Sequence, residues 1–229
     1  MKLRVKTRVK ICGIRDPEDA RMCAAEGADA LGFIFYPGSP RYLDPDAAAA
    51  IIRDLPPFIT PVGVFVNAER KLITSVIDRT GIRAIQLSGD ESPEECLGYP
   101  VSVIKAFRIK ILDEVERIKR YVLSAALLDG AGHGLRILTE GQPATRADGP
   151  KGATAYGGSG MMPDLSVAVR IKNYHPLIVA GGLNPENVPV VIRAVSPYAI
   201  DVNSGVESSP GKKDRDKVKL LFEALHTIE

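Results

Sequence analysis

The chain has 229 residues, 45% of them hydrophobic and 25% charged, with a formal charge of +2. These are ordinary globular values, so a disordered or collagen-like chain is excluded, and the near-zero charge gives no field for gripping nucleic acid or an anionic membrane. No apolar run approaches the ~18 residues of a membrane span, and the three cysteines, Cys12, Cys23 and Cys96, read as free thiols of a reducing, cytoplasmic protein rather than a disulfide framework.

Met1 to Arg8 is basic, but no apolar stretch follows, so it does not read as a secretory signal. From there, strand-like runs rich in Val, Ile and Phe alternate with amphipathic stretches. The predicted strands are Arg8–Cys12, Asp29–Phe35, Thr60–Val66, Ile82–Leu87, Val101–Phe107, Ala125–Asp129, Leu177–Ala180 and Tyr198–Val202. The predicted helices span 16–27, 44–54, 68–80, 92–98, 111–122, 163–173, 184–195 and 212–228. Four of them open on one pattern: Asp16-Pro17-Glu18, Asp44-Pro45-Asp46, Ser92-Pro93-Glu94 and Asn184-Pro185-Glu186. The first residue caps orphan N–H groups, the proline has its φ preset, and the acid suits the helix dipole. Eight βα units in this length predict an α/β chain folded as one (β/α)8 TIM barrel domain over residues 1–229. The structural rival is an open doubly wound sheet, but its Gly-rich fingerprint is missing after the first strand, where Cys12-Gly13-Ile14-Arg15 stands.

In such barrels the site lies at the C-terminal strand ends. Alternation in Val9-Lys10-Ile11-Cys12 turns Lys10 and Cys12 to the axis. Cys12 is then either a small buried hydrophobe or a thiol at the mouth. Arg41, in the Pro-stiffened loop after strand two, either forks onto a carboxylate or is a lone surface arginine. Lys105 is also read as facing inward, with Asp201 expected to pair with it or with Lys10. Asp129 ends strand six as a loop cap or an acid. A long Gly-rich loop at 130–156 follows, read as either a lid or a passive insertion. Strands seven and eight run into Gly181-Gly182 and Asn203-Ser204-Gly205, which either seat a phosphate on bare N–H groups or only turn tight corners. Gly158-Ser159-Gly160 is a weaker third candidate. The histidines show no ligand spacing, there is no Cys-x-x-Cys, and neither a Gly-x-Ser-x-Gly elbow nor a Walker A loop occurs. No metal site is expected.

Taken together, Val9-Lys10-Ile11-Cys12-Gly13-Ile14, Gly32-Phe33-Ile34-Phe35-Tyr36, Arg41-Tyr42, Val62-Gly63-Val64-Phe65-Val66-Asn67, Ala84-Ile85-Gln86-Leu87, Ala180-Gly181-Gly182-Leu183-Asn184-Pro185-Glu186-Asn187 and Asp201-Val202-Asn203-Ser204-Gly205-Val206-Glu207 resemble the phosphoribosylanthranilate isomerases of tryptophan biosynthesis. The match runs from Arg8 to Leu225. The resemblance implies a (β/α)8 fold, an Amadori rearrangement without a cofactor, and a small phosphoribosyl substrate. It implies Cys12 as general base, Asp129 as general acid and Arg41 as carboxylate holder. The phosphate would fall to Gly158, Ser159, Gly160, Gly181, Gly182, Asn203, Ser204 and Gly205. Neither nucleic acid nor membrane is an expected partner, and the chain is expected as a monomer or homodimer. It departs from the family at Ser88, where histidine is usual, at Asn203, where serine is common, and in the length of 130–156, which leaves Asp148 and Asp201 as reserve acids. The related isomerase of histidine synthesis carries Asp where this chain has Cys12. A non-catalytic phosphate binder would not need both Cys12 and Asp129.

Overall fold

In the computed structural model, described over residues 6–109, 112–130 and 162–228, eight parallel strands close in sequence order into a barrel. They are β1 (Arg8–Cys12), β2 (Ala30–Ile34), β3 (Thr60–Phe65), β4 (Ala84–Leu87), β5 (Ser102–Phe107), β6 (Ala125–Leu128), β7 (Leu177–Val179) and β8 (Ala199–Val202). The seam pairs β1 with β8, setting Lys10 opposite Asp201. The open-sheet alternative is therefore excluded. The 130–156 loop beyond Gly130, together with Gly158, Ser159, Gly160 and Asp148, lies outside the described residues.

Period-2 alternation builds the core. On β6, Ala126 and Leu128 pack outward under the helices while Ala125 and Leu127 fill the barrel. The same alternation on β1 sends Val9 and Ile11 outward and leaves Lys10 and Cys12 inside, as the sequence predicts. Lys105 breaks the expected parity. On β5 the inner positions belong to Ile104 and Ala106, so Lys105 shares the outward parity of Val103 and Phe107. Its ammonium instead reaches Glu91 at 3.0 Å and the carbonyls of Gly89 and Ala106.

The helices are α1 (Pro17–Glu26), α2 (Pro45–Arg53), α3 (Arg70–Thr80), α4 (Leu165–Ile171), α5 (Val188–Val195) and α6 (Arg215–His226). Asp16 and Asp44 cap α1 and α2 as their Asp-Pro pattern predicts. The expected helix at 92–98 is a turn. Ser92 and Glu95 do form the reciprocal capping pair, at 2.7 and 3.3 Å. Gly98 and Pro100 follow too soon for a helix to propagate, and Arg70 takes the carbonyls of Glu95 and Leu97. The expected helix at 111–122 is a 3-10 helix over Leu112–Arg120. Its buried Val115 and Ile118, three apart, align at three residues per turn.

Near the C-terminus, Asn184 caps a single turn. Its Oδ1 accepts from the N–H groups of Glu186 and Asn187, and Asn187 returns a bond to the N–H of Asn184. The helix predicted at 184 therefore begins only at Val188. The helix predicted from 212 is preceded by a two-stranded hairpin, β9 (Glu207–Ser209) and β10 (Lys212–Lys213), and starts after the Asp214 cap. Among the described residues no helix is long and apolar enough to cross a membrane.

Candidate active site

A cavity of about 440 Å³ opens at the C-terminal ends of the strands, a size suited to a small substrate. Cys12, Arg41, Asp129, Gly181, Gly182, Asn203 and Ser204 all line it. Gly205 does not. A Cβ there would stand 1.9 Å from the carbonyl oxygen of Leu183, so its bare α-carbon lets the β8 loop lie against the β7 loop.

Cys12 ends β1 opposite Gly32 of β2. A Cβ on Gly32 would fall 2.8 Å from the Cys12 sulfur, so this glycine makes room for the thiol. Below it, Lys10 donates to Asp201 at 2.7 Å and to Gln86 at 2.9 Å. Gln86 in turn donates to Ser88 at 3.1 Å. Burial works against the Lys10 charge, but Asp201 and Cys12 outweigh it and its pKa lies above the ordinary lysine value. Burial also pushes the Cys12 thiol up, and Lys10 pulls back too weakly to reverse it. In the free protein burial therefore favours the protonated thiol, beside the Lys10 ammonium. Oδ1 of Asp201 has no hydrogen-bond partner among the described residues.

Asp129 extends β6 with the inward parity of Leu127. Burial pushes its carboxyl up, Arg108 opposes and Asp201 adds to the rise. The Arg108 Nε lies 3.6 Å from it. A carboxyl with a raised pKa holds its proton longer, which is what a general acid requires. Cys23 and Cys96, by contrast, are buried away from the cavity, with thiols pushed by burial to about 12 and about 11.

Arg41 is not a lone surface arginine. Its Nε and Nη2 fork onto Glu207, the Nη2 contact being 2.6 Å. Gly13, at φ +76°, lets its stem pass, since a Cβ there would meet the Arg41 Cδ at 2.8 Å. The sequence reading gave no role to Glu207, Lys213, Gln86 or Glu91, all buried and polar. Glu207 stood in a quoted motif, but its partners come from elsewhere in the chain. The arrangement can protonate one end of a small sugar and abstract a proton at another, while cationic and glycine-rich loops hold anionic termini.

A family model described as "N-(5'phosphoribosyl)anthranilate (PRA) isomerase" matches residues 9–224. A relative from Geobacter metallireducens, named N-(5'-phosphoribosyl)anthranilate isomerase, is 44% identical over 212 residues, covering 93% of this chain and 95% of that protein. Among solved structures, phosphoribosyl anthranilate isomerase from Thermotoga maritima superposes with a TM-score of 0.80 at 39% identity, covering 96% of this chain and 99% of that one. A phosphoribosyl anthranilate isomerase in complex with reduced 1-(o-carboxyphenylamino)-1-deoxyribulose 5-phosphate gives 0.78 at 36% identity, with coverage of 96% and 99%.

Proposed function

The chain belongs to the N-(5'-phosphoribosyl)anthranilate isomerase family, and on that premise we propose how its residues divide the work. It isomerises N-(5-phosphoribosyl)anthranilate to 1-(2-carboxyphenylamino)-1-deoxyribulose 5-phosphate, an Amadori rearrangement of tryptophan biosynthesis. Asp129 gives its proton to the ribose ring oxygen as the bond from that oxygen to C1 breaks, leaving an iminium. Cys12, as thiolate, takes the proton from C2, and the electron pair neutralises the iminium to give an enolamine. Tautomerisation moves a proton from the C2 hydroxyl to C1 and leaves the aminoketose. C1 is reduced as C2 is oxidised, so the electrons balance within the sugar.

One observation carries this reading: Cys12 and Asp129 line a single cavity at the ends of β1 and β6. Gly181, Gly182, Asn203 and Ser204 supply the phosphate end, and Arg41 takes the anthranilate carboxylate. The whole chain acts as one domain in the cytoplasm, as a monomer or homodimer. Three unpaired cysteines fit a reducing compartment, and a solved relative is described as dimeric.

The test follows the loss of substrate fluorescence with phosphoribosylanthranilate generated in situ. Cys12→Ala should lower kcat on the order of 10²–10⁴-fold while product binding changes little. Asp129→Asn, which keeps the shape and removes the proton, should do the same with the fold intact. Near-normal turnover by either variant reassigns that role.

A further inference from the structure

Arg41 and the phosphate-side loop both converge on one acid that does not itself line the cavity. The Glu207 carboxylate accepts from Arg41 Nε at 2.9 and 3.1 Å and from Nη2 at 2.6 Å. It also accepts from Lys213 Nζ at 2.9 Å and from the Gly211 N–H at 3.2 Å. Lys213 Nζ passes on to Oδ1 of Asn203 at 3.1 Å and to its carbonyl oxygen at 3.4 Å. The side chains of Glu207 and Lys213 are 4% and 0% exposed, so water does not compete for these bonds.

The geometry of the guanidinium gives this arrangement a consequence. Glu207 occupies the side-on edge made by Nε and Nη2. Among the described residues, the end-on edge, made by Nη1 and the second Nη2 hydrogen, is left for another planar anion. A guanidinium held by one edge presents the other in a fixed plane, without the rotamer loss that a loose arginine suffers on binding.

We propose that Glu207 is a positioning residue for substrate recognition: it clamps Arg41 and, through Lys213, ties that clamp to Asn203, fixing the spacing between the carboxylate end and the phosphate end of the site. The inference rests on the reading of Arg41 as carboxylate holder. Glu207 touches no substrate and acts through Arg41 and Asn203.

The experiment is a double-mutant cycle between Glu207 and Arg41, read as KM and kcat separately. Glu207→Gln sets an amide NH₂ against an arginine N–H on one of the two contacts, so the guanidinium loosens. KM should rise on the order of tenfold, with kcat within about twofold of the parent. In an Arg41→Ala background the same substitution should raise KM by clearly less than in the parent, about two- to threefold, because the Arg41 half of what it positions is gone and only the link through Lys213 to Asn203 remains. Should the uncompensated Lys213 prevent Glu207→Gln from folding, Glu207→Gln with Lys213→Gln removes that charge and enters the same cycle.

If Arg41→Ala leaves KM unchanged, the carboxylate reading of Arg41 is what fails. If Arg41→Ala raises KM but the Glu207 variants leave it alone, or act additively with Arg41→Ala, the positioning role is overturned. A lowered melting temperature with unchanged KM likewise reduces Glu207 to a structural ion pair.

Discussion

At the scale of single residues, the thiol and the carboxyl set the pH behaviour. In the proposed roles Cys12 must be deprotonated and Asp129 protonated, and burial raises both pKa values. An ordinary thiol titrates above an ordinary carboxyl, near 8.5 against about 3.9. Both rises act in one sense, carrying the two limbs of the pH profile to the alkaline side of where an ordinary carboxyl and an ordinary thiol would place them. A bell-shaped kcat/KM profile should follow. Each limb belongs to one of the two groups. The direct check is the ultraviolet thiolate signal, compared between the parent and Cys12→Ser. It should titrate above the ordinary thiol range in the free enzyme. A Cys12 titration below neutrality would contradict the burial argument.

The same scale shows what was legible in the sequence. Lys10 and Cys12 are readable because strand alternation alone decides their direction, whereas parity leaves Asp201 open to Lys10 or Lys105 and the barrel seam selects Lys10. Lys105 departs from its expected direction because the strand begins at Ser102, not Val101, and its inner face belongs to Ile104 and Ala106. Glu207 was invisible as a positioning group, since Arg41 reaches it across 166 positions of chain and no local pattern encodes such a meeting. Gly32 shows the opposite case: a glycine in a strand marks a close approach, but only the paired register names Cys12 as the neighbour it makes room for. Gly32→Ala should therefore displace the thiol and lower kcat more than it raises KM, as measured by steady-state turnover.

At the scale of elements, caps were legible and helix lengths were not. Starts in which a capping side chain precedes proline work where a full helix has room to follow, at Asp16 and Asp44, and fail at Ser92, where the cap forms and the helix does not. The β9–β10 hairpin has the same lesson. The Asp19 carboxylate of α1 accepts from the Lys213 N–H and from Lys212 Nζ, each at 2.8 Å. A helix pattern read from 212 cannot anticipate that α1 draws these residues into a hairpin. Asp19→Ala leaves the buried Lys213 N–H without an acceptor, and should cost about 1–3 kcal/mol of stability. A urea titration reads this as a lower midpoint at unchanged slope. Because Lys213 also holds Asn203, a modest rise in KM should accompany it.

For the whole molecule, closure is the governing fact. The first and last barrel strands meet at the seam, and the pair that crosses it, Lys10 with Asp201, is buried, with side chains 4% and 6% exposed. A closed barrel has no free edge, so no strand can leave without breaking its pairings with two neighbours, and the barrel should unfold in one cooperative step. Far-ultraviolet circular dichroism and tyrosine fluorescence should give superimposable urea transitions. Two separated transitions would divide the chain into units. The seam pair itself is a poor source of net stability, because two ions lose their water to make it. Breaking it from one side is another matter: Lys10→Met strands Asp201 inside the barrel and should cost about 3–5 kcal/mol. Lys10→Met with Asp201→Leu removes both charges and should recover most of that loss, while leaving Cys12 without its ammonium neighbour and the enzyme slow. Recovery of stability without recovery of turnover would place the pair's value in the chemistry at the mouth of the barrel rather than in holding its seam closed.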